Sequence, residues 1–175
     1  MEIDTSWLII ALLVTWSLGT GYFPYFYPDL ATATYWWMGV EGALGLFLSI
    51  VVHEFSHSLV ARRYGLQMRG IRLFIFGGVA QMDEEPDSAK AEFMMAIAGP
   101  IASVLIAAGA FGLHWLGLQF GWGTPATAVL FYLAWINAVL VAFNMIPAFP
   151  LDGGRVLRSV LGKLQDDHAR DEGLI

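Results

Sequence analysis

Residues 47–65 read FLSIVVHEFSHSLVARRYG. Two histidines and a glutamate interrupt a run otherwise suited to lipid, and the run ends on paired arginines. Burying a charge in hydrocarbon costs about 2.5–3.5 kcal/mol even on lenient insertion scales, so ionisable groups there usually mark function. On a helix, His53 and His57 lie one turn apart on one face. That spacing lets two imidazoles grip one zinc ion, with Glu54 between them in sequence as general base for a water. Arg62 marks one end of the helix, and His53, nine residues earlier, lies roughly 13 Å deeper. The plainer alternative is a structural histidine pair bonded to neighbouring helices, which leaves Glu54 unexplained.

The rest of the chain supports a membrane setting. Of its 175 residues 57% are hydrophobic and 14% charged, against about 45–50% and 25% in soluble domains. Cysteine is absent, which excludes disulfides and thiol chemistry and leaves His, Asp and Glu as metal ligands. The net charge of −6 and the lack of a basic cluster argue against a nucleic-acid partner. The partner that the composition does imply is the lipid bilayer.

A hydrocarbon core about 30 Å thick needs roughly 20 helical residues. Four segments meet that requirement, near Ser6–Phe23, Trp36–Tyr64, Lys90–Leu118 and Ala126–Ile146. The first lacks the basic flank and cleavage site of a signal peptide and is read as a retained span. Between the second and third, β-branched and aromatic residues flank Gly77-Gly78, which predicts a short hairpin of Ile71–Phe76 and Val79–Met82, followed by the acidic loop DEEPD. The expected fold class is therefore an all-α polytopic membrane protein of about four transmembrane helices, with a short β-hairpin between the second and third. Residues 1–165 form the expected core and 166–175 a polar C-terminal tail. No Lys or Arg precedes Arg62, and the basic residues flank the hairpin and follow span four. Positive-inside logic places both clusters, the polar trio and, by parity, the N-terminus on the cytoplasmic side of a cell membrane.

A catalytic zinc site needs a third protein ligand. His114 lies near the far end of span three and His168 in the polar tail, so neither suits the depth of His53. Asp152, in FNMIPAFPLDGGRVLRS, is the better candidate. Pro147 and Pro150 break span four, and irregular backbone at membrane depth is tolerated only when buried in protein or lining a water-filled cavity. By itself Asp152 would read as a cap for the following helix.

The two motifs together resemble the paired signatures of the site-2 protease family, intramembrane zinc metalloproteases with the patterns His-Glu-x-x-His and Asn-x-x-Pro-x-x-Pro-Leu-Asp-Gly. HEFSH and NMIPAFPLDGG fill every fixed position of both. FIFGGVA is similar to the family's Gly-rich strand, and Ala98–Pro100 to a motif of its third helix. The resemblance implies that His53, His57 and Asp152 bind Zn2+, that Glu54 activates water and that Asn144 stabilises an oxyanion or orients substrate. Asn144 serves equally well as a helix-to-helix hydrogen bond. The implied activity is regulated intramembrane proteolysis of a transmembrane protein substrate, with Gly77, Gly78 and Val79 offering a strand edge to the unwound segment. Family members commonly continue with further spans, and some with a regulatory nucleotide-binding domain, so a regulatory C-terminal domain or partner outside this chain is a further expectation. The competing readings are a membrane metal transporter and an inactive scaffold. Transport does not require Glu54, and an inactive relative would be expected to lose a motif position. The trio could also hold other divalent ions.

Overall fold

The computed structural model describes residues 2–3, 6–66, 68–74, 77–82 and 88–171. Helices dominate it. Four helical runs are long and apolar enough to cross a membrane: Trp7–Phe26, Thr32–Arg63, Ala89–Gln119 and Thr124–Asn144. The first joins α1 (Ser6–Ser17), a π-helical turn (Leu18–Tyr22) and α2 (Phe23–Phe26), and so runs three residues beyond the expected end. The others are α3 (Thr32–Arg63), α4 (Ala89–Gln119) and α5 (Thr124–Asn144), with α6 (Asp152–Asp171) after the proline-broken turn. The first six residues of the expected polar tail thus continue α6; residues 172–175 lie outside the described residues.

Large apolar side chains such as Leu12, Trp37, Leu44 and Leu105 are exposed along these helices. In water that would leave much hydrophobic area uncovered, whereas lipid tails are as apolar as leucine. Inter-helix packing must therefore come from close fit, and small residues supply it. A Cβ on Gly39 would meet the Thr15 carbonyl oxygen of α1 at 2.7 Å, and one on Gly45 would meet Leu133 of α5 at 2.5 Å. One buried cluster, including Leu18, Phe23, Tyr35, Met38 and Tyr132, joins the first run, α3 and α5. It lies near the start of α3, eighteen residues and roughly 27 Å from His53 along the helix axis.

At the other end of α3 lies a small sheet. β2 (Met68–Phe74) pairs antiparallel with β3 (Gly77–Met82), with Leu73 opposite Gly78 and Phe74 opposite Gly77, and a register shift between Met68 and Ile71. Residues 75 and 76, at the predicted end of the first strand, and the acidic loop 83–87 lie outside the described residues. β1 (Glu2–Ile3) adds to β2 in parallel, Glu2 opposite Arg72 and Ile3 opposite Leu73. The start of the chain therefore stands beside the sheet, as two intervening membrane crossings require.

Candidate metal centre

Three elements build the site, and each is fixed locally by its sequence. α3 ends in a Schellman motif: Gly65 takes φ +78°, its N–H donates to Arg62, and Leu66 N–H donates to Ala61 at 3.2 Å. Ala61 and Leu66 pack with Met95 of α4, which docks the end of α3 against that helix. His53 and His57 are both buried, one turn apart on α3.

After α5 ends at Asn144, the chain turns through Ile146–Leu151 and α6 begins at Asp152. Gly153 is buried against that turn. A Cβ on it would meet the Ile146 carbonyl oxygen at 2.5 Å and the Met145 oxygen closer still, so the first turn of α6 sits directly on the turn's backbone. That seating brings the Asp152 carboxylate to the two histidines. Asp152 Oδ2 lies 3.2 Å from His53 Nε2 and 3.3 Å from His57 Nε2, and the two Nε2 atoms are 3.2 Å apart. Bonds of about 2.0–2.1 Å to a tetrahedral zinc ion place neighbouring ligand atoms about 3.3–3.4 Å apart. The triangle has the right edge.

The outer nitrogens explain why the inner ones point inward. His57 Nδ1 donates to the Met95 carbonyl oxygen at 2.7 Å, an acceptor only, which frees the Nε2 lone pair. His53 Nδ1 lies 3.0 Å from Ser103 Oγ, a group 0% exposed. With Ser103 accepting from Nδ1, both imidazoles present Nε2 lone pairs to a carboxylate, a donor set suited to a divalent cation.

Among the described residues, His53, His57 and Asp152 form the group that could hold a metal ion. Glu54 is half-buried on the same turn of α3. Asn144 donates back along its own helix, Nδ2 to the Leu140 carbonyl oxygen at 2.9 Å. The helix-to-helix amide bond is instead made by Asn137, fully buried two turns earlier, whose Nδ2 lies 3.0 Å from Ser49 Oγ, one turn before His53. His114 is turned to the Thr127 carbonyl oxygen at 2.8 Å, away from the site. Gly77 and Gly78 open β3, which with Val79 occupies the outer position of the sheet. Sequence reasoning missed the α4 face formed by Met95, Gly99 and Ser103, and missed the pair Glu92–Arg158. There Arg158 Nε donates to the buried Glu92 Oε1 at 2.6 Å, tying α6 to the first turn of α4. The only sequence signal on α4 was the Ala-Gly-Pro triplet at 98–100, which carries no chemistry of its own.

The model of peptidase family M50 matches residues 41–122 and 120–173. The chain belongs to peptidase family M50. Its relatives include a candidate zinc metalloprotease of Synechocystis sp. (sll0528), 40% identical over 162 residues, 93% of this chain and 41% of that protein. Zinc metalloprotease MJ0392 of Methanocaldococcus jannaschii is 42% identical over 118 residues, 67% of this chain and 33% of that protein. Among solved structures, the site-2 protease from Methanocaldococcus jannaschii superposes with a TM-score of 0.59 at 34% identity, covering 93% of this chain and 67% of that one. Family and fold thus place the chain in the site-2 protease family, and the donor set fits the zinc in those relatives' names. The chain spans about two fifths of the length of the Synechocystis relative.

Proposed function

We propose that this chain is the core of an intramembrane zinc metalloprotease, which hydrolyses peptide bonds within or near the transmembrane segments of membrane proteins. The observation that carries the reading is the convergence of Asp152 Oδ2 with His53 Nε2 and His57 Nε2 at 3.2–3.3 Å, the two histidines standing on a helix long and apolar enough to span a membrane. In this reading those three residues are the zinc ligands. Bound zinc would supply Lewis-acid polarisation of a carbonyl and a lowered pKa for water.

The remaining work falls to the protein. Glu54 takes the proton of the attacking water and passes it to the leaving amide nitrogen. An asparagine amide has two N–H donors, so Asn144 can keep its bond to Leu140 and still donate to the substrate carbonyl oxygen. A substrate helix hides its carbonyls in its own hydrogen bonds and must unwind locally. The outer edge of β3, at Gly77, Gly78 and Val79, offers main-chain partners to the unwound strand, and Val79→Pro, which disturbs that strand, should lower cleavage. The basic residues around the sheet support a site on the cytoplasmic side.

The test is cleavage of a purified single-span substrate in detergent by the parent and Glu54→Gln, with zinc content measured in both. The proposal expects equal zinc and cleavage by the parent alone. Equal zinc with no cleavage by either protein, in this chain and in a longer one, would favour a binding or transport role and overturn the protease reading.

A further inference from the structure

We propose that Gly99 is a positioning residue of the metal centre, whose missing side chain makes the zinc site on the face of α4. The inference rests on reading His53, His57 and Asp152 as the ligands, and it adds a fourth element to them. Met95, Gly99 and Ser103 are spaced by four, so they form one stripe of α4, and all three are buried. The outer two hold the imidazoles through their Nδ1 atoms. The middle one faces the nitrogens turned toward Asp152.

A Cβ on Gly99 would stand 2.6 Å from His53 Nε2, 2.7 Å from His57 Cε1 and closer still to His57 Nε2. Unbonded heavy atoms prefer about 3.5 Å or more. A histidine ring can often swing clear of such a contact, but here each ring would have to leave its partner on Met95 or Ser103. A methyl group at 99 therefore either crowds the two ligand nitrogens or breaks the bonds that aim them. Glycine costs about 1 kcal/mol relative to alanine in a helix interior, so its use at this buried position asks for a reason. Gly109, on the same helix, has no packing neighbour outside its own helix backbone within 4 Å of its Cβ position and serves as the control.

The experiment measures zinc affinity by competition with a chelator for the parent, Gly99→Ala, Gly109→Ala and His57→Ala, purified in detergent. Gly109→Ala is expected to match the parent. Gly99→Ala is expected to bind at least about tenfold more weakly, the scale seen when groups behind metal ligands are altered, while remaining helical and monodisperse. Affinity within twofold of the parent would overturn the inference. His57→Ala separates the two levels of the argument. If it too keeps parental affinity, the ligand reading fails; if it loses zinc while Gly99→Ala does not, only the Gly99 inference fails. Should Gly99→Ala not fold, thermal melting of metal-free protein in the His57→Ala background decides. With the nearer ring gone, Gly99→Ala should fold and melt close to His57→Ala alone, and failure to fold there too would overturn the inference.

Discussion

His53, Glu54 and His57 occupy adjoining turns of one helix, yet the roles proposed for them should separate under substitution. Glu54→Gln keeps the size and hydrogen-bonding shape of the side chain and removes its basicity. It is expected to lower the cleavage rate by about 10²–10⁴-fold, the usual yield of a general base, with zinc affinity unchanged; a parallel loss of zinc would contradict that role. Ser103→Ala acts differently. It leaves His53 Nδ1 without its partner 3.0 Å away and should weaken zinc by about 10–100-fold, an effect read by chelator competition and refuted by unchanged affinity. The metal-suited trio was legible because a four-residue spacing survives translation into any helix, and because Asp152 stands in a motif of its own. The α4 stripe was not legible. A methionine that contributes only its carbonyl, a glycine that contributes empty space and a serine in an apolar run carry no pattern until the fold sets them behind two imidazoles.

At the scale of elements, the site depends on how α6 is seated. Asp152 reaches the histidines because Gly153 lets the first turn of α6 lie on the backbone of Met145 and Ile146, and because Arg158 anchors the next turns to Glu92. Removing the guanidinium leaves a buried carboxylate without that donor. Arg158→Ala should therefore cost about 1–2 kcal/mol of stability, at the low end for a buried pair because Arg158 is itself exposed. Zinc affinity should fall with it. Thermal melting of metal-free protein measures the first effect, and an unchanged melting temperature would show that α6 is held by other contacts. The helices were legible to within a few residues, since unbroken apolar runs between prolines, glycines and basic flanks admit few other readings. Their partners were not. Pairing of Glu2–Ile3 with β2 joins residues seventy positions apart through a strand too short to show any alternation.

For the whole molecule, four apolar runs, a sheet beside the start of the chain and a metal-suited group at the sheet end of α3 make one consistent orientation. The absence of cysteine allows it to be tested with single introduced thiols. Arg63→Cys, at the end of α3, and Gln119→Cys, at the far end of α4, should be labelled by an impermeant reagent from opposite faces of the membrane, Arg63→Cys from the cytoplasm. Labelling from the same face would contradict the arrangement of spans. With the site near one face, and zinc offsetting the burial of its polar ligands, the bond cut should lie inside a membrane segment. The most direct measurement is mass-spectrometric mapping of the products formed from a single-span substrate in lipid vesicles. The account expects one dominant cut within the span, in its cytoplasmic half, abolished by Glu54→Gln. Cuts confined to the soluble parts of the substrate, or unchanged by Glu54→Gln, would contradict it.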